Sequence, residues 1–470
     1  MFRTLARVAR AAGCAGAVPV IAAVILLVPR RPAEAVPAFA TQTGLACTAC
    51  HVGGFGPQLT PLGRAFKITG YTQRGGQGVA SQIPFSAMTM TSFTNVGKNY
   101  PADAVPHHYN DNNNPSLDQV SGFIAGGIGS HTGGFIQMTY SDFDNTFVLD
   151  NTDLRPYVTT VQAFGNDLTL GISVNNNPTV QDPYNSTFAW GYPYYSNQLE
   201  ISPGAATLLG GGAFAGNVIG VTAYAWYNEH LYVEAGAYGA QSPWLSDRLG
   251  TEGGPASDNL MPYVRAAYEW DWGTNAAWVG GTMLHANINP QFGTGQDSYT
   301  DYAIDGGYQF LGTGKHIVTV QGIFVHEAQN LTASAANYNA SNSPSLGTSY
   351  GLNTINVSAQ YWYESTYGVV LSWFAGFGST NPIAYPTGGQ LGADFAGFAN
   401  NSPNYNGFSI EADWVPFGKD KSLWRPWANL KIGAEYMYYT DYNGATSNYD
   451  GFGRNASDNN SFLLYAWTIF

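Results

Sequence analysis

The sequence predicts an all-β protein: a transmembrane antiparallel β-barrel of about sixteen strands that follows a small, mostly helical or irregular N-terminal segment. Three observations support this. From residue 83 onward, segments of about ten to fifteen residues alternate apolar with polar side chains, which is the period of a strand. Apolar rows end in tyrosine and tryptophan, as at Tyr268, Trp270 and Trp272, where an interfacial aromatic girdle belongs. The connections alternate between short and long, as in outer-membrane barrels.

Strands are expected near residues 83–97, 117–129, 132–141, 151–163, 167–175, 214–227, 230–239 and 261–272. The remaining eight fall near 275–286, 299–310, 315–327, 350–363, 367–377, 406–415, 427–439 and 461–470. Alternation is clearest in four of them. Phe408, Ile410, Ala412 and Trp414 interleave with Ser409, Glu411 and Asp413, and Leu430, Ile432, Ala434, Tyr436 and Tyr438 with Asn429, Lys431, Gly433 and Glu435. Val264, Ala266, Tyr268, Trp270 and Trp272 alternate with Arg265, Ala267, Glu269 and Asp271; Ile355, Val357, Ala359, Tyr361 and Tyr363 alternate with Asn356, Ser358, Gln360 and Trp362. These lengths match the ~9–11 residues of a tilted spanning strand rather than the ~5–6 of an ordinary one.

Tight turns fall at Ser130-His131, Gly165-Asn166, Asn228-Glu229, Gly273, Gly312 to Gly314 and Glu364 to Thr366, with long loops such as 176–213 and 378–405 between them. The turns are expected in the periplasm and the loops outside, and an even strand count returns both termini to the periplasm. Phe470 resembles the terminal aromatic of exported outer-membrane barrels.

Composition narrows the function classes. The formal net charge is −13, and the five arginines and single glutamate of residues 1–35 leave the rest of the chain more negative still. A basic footprint for nucleic acid is absent. A chain with few charges and no later long apolar helix can still sit in lipid, because a closed barrel satisfies its own backbone groups there. Residues 1–35 read as a secretory signal: Arg3, Arg7 and Arg10, an apolar run from Ala15 to Val28, then the cleavage-like Ala33-Glu34-Ala35. Cys14 would leave with it. The expected organisation is therefore signal peptide at 1–35, a small segment at 36–82 and a barrel at 83–470.

That small segment contains Cys47-Thr48-Ala49-Cys50-His51, the attachment signature of c-type haem. Two thioethers from Cys47 and Cys50 would hold one covalent haem c, and the His51 imidazole would be the proximal ligand of its iron. The competing readings are a disulfide, a zinc site and a redox dithiol. Zinc asks for a fourth ligand, a dithiol motif for a βαβ context, and a disulfide gives no reason for the histidine. Residues 36–82 are too few to build a core of their own, so the segment is expected to lodge inside the barrel lumen.

Further residues carry a resemblance. Pro37-Ala38-Phe39-Ala40-Thr41-Gln42-Thr43-Gly44, the Cys47–His51 motif, Leu59-Thr60-Pro61-Leu62-Gly63-Arg64-Ala65-Phe66-Lys67 and Gly70-Tyr71 resemble the haem segment of the fused outer-membrane cytochrome-porins. The resemblance covers residues 37–71 in detail and the overall plan more loosely. It implies a mono-haem segment joined to a sixteen-strand barrel; the best-known members oxidise extracellular ferrous iron.

Arg64 and Lys67 are candidates to pair with haem propionates. Candidates for the distal iron ligand are Met88 and Met90, which share a row with Ser86 and Ser92 on the first strand, and Met283 and His285, read as an inward row on another. Acidic residues placed in outer loops, among them Asp103, Asp111, Asp142, Asp144, Asp182, Asp247, Glu252, Asp258, Asp441 and Asp450, against Lys98, Arg248 and Arg454, suggest an anionic outer face that favours cations. Lys419, Lys421 and Arg425 form a basic periplasmic patch. Glu234, Glu269, Asp271, Asp305, Glu411, Asp413 and Glu435, offset by Arg265 and Lys431, are expected to face and hydrate the lumen.

The resulting expectation is an outer-membrane electron-transfer protein in contact with lipid. It would exchange electrons between an extracellular metal ion or other redox partner and a periplasmic carrier such as a soluble cytochrome. The alternative is a diffusion porin whose haem segment hangs in the periplasm.

Overall fold

The structure, a computed structural model, describes residues 37–470 apart from 78, 83, 102–104, 106–107, 144, 213, 252–256, 258, 291–294, 341, 343–344, 389–396, 420–421 and 423–427. The expected signal at 1–35 lies outside the described residues. Sixteen antiparallel strands close into one barrel in which every strand pairs with its sequence neighbours and β1 pairs with β16. The first eight are β1 (Phe85–Val96), β2 (Asn114–Ile128), β3 (Thr132–Ser141), β4 (Thr146–Ala163), β5 (Asn166–Asn175), β6 (Val218–Tyr227), β7 (Leu231–Ala240) and β8 (Met261–Asp271). The rest are β9 (Asn275–Ile288), β10 (Asp297–Phe310), β11 (His316–Asn330), β12 (Ser349–Tyr363), β13 (Tyr367–Gly378), β14 (Tyr405–Trp414), β15 (Asn429–Asp441) and β16 (Ser461–Ile469). The tight turns fall where the sequence places them, and they define a turn end and a loop end of the barrel.

The outer surface explains why these residues make this wall. On β11, Ile317, Thr319, Gln321, Ile323, Val325, Glu327 and Gln329 are buried, while Val320 and Phe324 face out. Near the turns, Tyr363 lies opposite Tyr367 and Tyr367 opposite Trp414; nearer the loops, Trp373 lies opposite Phe408 and Phe408 opposite Tyr438. Along β13 the two aromatic rows are separated by Val369 and Leu371, both outward and exposed, over about 20 Å of strand. A closed antiparallel cylinder with an apolar outer band, aromatic rims, short turns and long loops is the architecture of outer-membrane barrels.

Chain takes up much of the lumen and leaves cavities of about 490 and 440 Å³. Two pieces of chain occupy the lumen: the N-terminal segment at the turn end, with helices α1 (Pro37–Thr43), α2 (Cys47–Cys50) and α3 (Pro61–Ile68), and the connection 176–217 above it. That connection corrects the sequence reading of 176–213 as an outer loop. Val180, Asp182, Tyr184, Tyr195 and Leu199 are all buried, because Asp182 finds Arg265 of the inner wall at 3.1 Å. Farther along, the backbone N–H groups of Leu208 and Leu209 donate to Glu327 and Asp301.

Candidate functional site

The site is built on α2. Cys47 to Cys50 make a single helical turn, closed by the His51 N–H donating to the Cys47 carbonyl at 2.8 Å. The chain then folds back on itself: Val52 N–H donates to Gln58 O at 3.0 Å, Thr60 N–H to Cys50 O at 3.0 Å, and the Thr60 hydroxyl to Ala49 O at 2.6 Å. Thr60 also caps α3, with Pro61 following in the first turn, a position where the missing N–H costs nothing. Gly63 lets α3 lie directly on the motif, since a Cβ there would stand 2.3 Å from the Cys50 carbonyl oxygen.

The wall grips this segment through side chains. Asn429 of β15 donates to Gly54 O at 2.8 Å and contacts Cys47 Sγ at 3.5 Å. Gln58 donates to Gln321 at 2.9 Å, Tyr71 to Asp153 at 2.8 Å, and Tyr224 to the Ile68 carbonyl at 2.6 Å. Phe39 stacks on Tyr71 with ring centroids 5.2 Å apart, and Phe66 meets both rings edge-on.

Between this segment, the inner wall and residues 185–194 lies a cavity of about 490 Å³, within the ~300–1,000 Å³ of small-molecule and cofactor sites. Cys47, Cys50 and His51 all line it, together with Phe55, Phe66, Met88, Met90, Phe123, Trp190 and Trp467. No disulfide joins the two cysteines. Burial pushes the Cys50 thiol up to about 11, the opposite of an activated redox thiol. Burial also lowers His51 to about 4, with the Gly56 backbone opposing, so the ring is neutral, the form that ligates metal. Among the described residues no group of three or more His, Cys, Asp or Glu side chains is placed to hold a metal ion between them.

These residues fit a c-type haem. Cys47, Cys50 and His51 share one largely apolar space, and among the described residues two buried nitrogens near it, His51 Nδ1 and Trp467 Nε1, have no hydrogen-bond partner. Lys67 also lines the cavity, its Nζ held by Val180 O, Asp182 O and Asn185 Oδ1 at 2.7, 2.7 and 2.8 Å. Arg64 is spent elsewhere, on Glu269 at 2.6 Å and Gln309 at 3.0 Å.

Other expectations change. Met88 and Met90 face inward and are buried, with Ser86 and Ser92 in the same row. Met283 and His285 do not: on β9 the buried row is Trp278, Thr282, Leu284 and Ala286, and His285 bonds Thr300 on the other face. Of the predicted lumen charges, Glu234 and Glu435 are buried and accept from the hydroxyls of Thr222 and Tyr232 and of Tyr192, while others form ion pairs. Arg265 pairs with Asp305 at 2.7 Å, and Lys431 with Glu411 and Asp413 at 2.7 and 2.9 Å. Asp271 is exposed at the end of β8. Of the acidic residues assigned to the outer face, Asp111 and Asp247 are exposed, but Asp182 and Asp450 are buried, as is Arg454. Asp103, Asp144, Glu252, Asp258, Lys421 and Arg425 lie outside the described residues. Sequence reasoning missed the contributions of Asn429, Trp190 and Trp467 to the site; none sits in a local motif.

No protein-family model and no curated protein matches the chain. Solved outer-membrane barrels do. A channel, DcaP of Acinetobacter baumannii, aligns over 82% of this chain and 96% of its own at 12% identity and a TM-score of 0.45. OmpF of Salmonella typhi, in a complex with daunomycin, aligns over 82% and 97% at 11% identity and 0.43. An anion-selective porin from Comamonas acidovorans aligns over 82% and 98%, also at 11% identity and 0.43. At these scores the barrel assignment stands on its own strand pairings, not on the neighbours.

Proposed function

We propose that this outer-membrane barrel is an electron-transfer protein carrying one haem c, bound covalently through Cys47 and Cys50 with His51 as proximal iron ligand. The observation that supports it is that Cys47, Cys50 and His51 of one C-x-x-C-H motif all line the same largely apolar cavity. When bound, the haem supplies one-electron exchange and needs no protein nucleophile or acid–base pair. The chain's own residues do the rest. Cys47 and Cys50 would hold the edge of the ring, half-buried His51 would present a neutral nitrogen, Trp467 would offer an N–H that has no partner among the described residues, and the aromatic lining would limit water. Segment 176–217 and the N-terminal segment together obstruct the lumen, so electrons cross where solutes do not.

In this reading the turn end faces the periplasm and a soluble carrier such as a cytochrome, and the loop end faces an extracellular donor. Ferrous iron is the leading donor on the resemblance of residues 37–71 to cytochrome-porins. Anaerobic addition of ferrous salt to the oxidised, haem-loaded protein tests it: haem reduction is expected, and an unchanged spectrum contradicts iron as donor.

A second reading is favoured by the barrel itself, since sixteen-strand barrels of this kind normally leave an aqueous channel. Conductance in planar bilayers separates the two. The electron-transfer reading expects no large, stable open state; such a state makes the protein a diffusion porin.

A further inference from the structure

We propose that the distal ligand of the haem iron is a thioether from the barrel wall, supplied by the Met88 and Met90 pair on β1, so that iron coordination itself bonds the N-terminal segment to the barrel. The inference rests on the haem reading above and adds to it the identity of the sixth ligand and a mechanical role for it.

The argument is one of atoms available in the cavity. Apart from the motif, the lining side chains with atoms able to reach a metal are few, and most are committed. Lys67 Nζ is committed as donor to three oxygens at 2.7, 2.7 and 2.8 Å. Tyr71 donates its hydroxyl hydrogen to Asp153 at 2.8 Å. The Tyr194 oxygen already accepts from Gln321 and Gln360 at 3.1 and 2.5 Å. Asp150 accepts from Thr139 at 2.7 Å and is a hard carboxylate, poorly matched to haem iron. Met88 and Met90 line the same cavity, are buried, and carry soft sulfurs on flexible stems.

Their place in the wall agrees. Asn429, which contacts Cys47 Sγ at 3.5 Å, lies opposite Ile469, and Ile469 lies opposite Met88. The thioether row therefore stands two strands, about 10 Å, from the sulfur that tethers the ring. β1 itself runs without a break here: Ser86, Met88, Met90 and Ser92 keep one buried row, and the extra residue where the β1–β2 register shifts is Asp118 on β2. A coordination bond would add to the ion pair of Arg64 with Glu269, the hydrogen bonds and the ring contacts that already hold the segment to the wall.

The test uses the full chain matured with haem, as parent, Met88→Leu, Met90→Leu and the double variant. Covalent haem is first measured by intact mass; its absence in the parent defeats the haem reading and is thereby distinguished from failure of this proposal. With haem present, the parent is expected to show sulfur-to-iron charge-transfer absorption in the ferric state and to exclude carbon monoxide in the ferrous state. One single variant, or only the double variant if the two sulfurs exchange, should lose that absorption, bind carbon monoxide and keep covalent haem. Met90→His or Met88→His at the responsible position should restore a closed site at a lower potential. A double variant that keeps the parent spectrum and still excludes carbon monoxide overturns the proposal. Iron X-ray absorption on the unmutated protein guards against variants that fail to fold: a sulfur in the iron shell is expected, and an all-nitrogen shell overturns the proposal.

Discussion

The wall and the filling of this barrel are stabilised in different ways. In the wall, neighbouring strands exchange backbone hydrogen bonds around a closed circuit, so each residue contributes through its period and register. In the lumen, the short helices of the N-terminal segment and the largely irregular residues 176–217 are fixed by named side chains: Arg265 between Asp182 and Asp305, Tyr71 on Asp153, Asn429 on Gly54. The wall should therefore tolerate most changes that keep the pattern, while the filling should respond to single atoms.

The largest effect expected is at Arg265. Arg265→Met leaves two buried carboxylates without their cation, and removing one partner of a buried pair costs about 3–5 kcal/mol. Thermal unfolding of the detergent-solubilised protein should show the loss, with segment 176–217 becoming protease-sensitive first. Next comes a change to the outer wall: Leu371→Arg puts a charge in the lipid-facing band, where it costs about 2–4 kcal/mol near the midplane, read as a loss of folding yield in bilayers. If Leu371→Arg proves harmless, the outer band is not in lipid.

At Gly63 the contrast is sharper. Gly63→Ala sets a Cβ against the Cys50 carbonyl, an overpacking worth about 1–3 kcal/mol, and should reduce haem loading while leaving the barrel's β-sheet circular dichroism unchanged. The smallest effect concerns pH. Burial raises Glu200, in segment 176–217, to about 7, so the folded state holds its proton where the unfolded chain has lost it. The stability from this group is full below the ordinary carboxylate range and declines as pH rises from about 4.5 to about 7. Hydrogen-exchange protection across residues 196–201, taken relative to the intrinsic rate at each pH, should fall over that window in the parent but not in Glu200→Gln.

The same contrast explains what the sequence disclosed. Strands such as β8 and β14 could be read because Tyr268 and Trp270, or Ile410 and Trp414, face lipid while Arg265 or Glu411 face inward, so polarity marks the side. On β9 the rule fails. Trp278 and Leu284 face inward yet are as apolar as outward Val279 and Met283, because the lumen there is filled and packed, Leu284 lying in one cluster with Leu209 and Phe214 of the inserted segment. Met283 and His285 were misassigned for that reason. Inward tyrosines at 232, 238 and 263 weaken alternation in the same way, and such weakening was the available sign that something occupies the lumen. The haem motif was legible because its chemistry is local; Asn429 and Trp467 were not, because only barrel closure brings them to Cys47.

Intact mass of the purified chain, matured in a host competent for c-type cytochrome assembly, tests the central claim most directly. The account predicts the polypeptide plus one haem, with the added mass on the peptide containing Cys47 and Cys50 and lost when both become serine. A mature chain carrying only its polypeptide mass would contradict it.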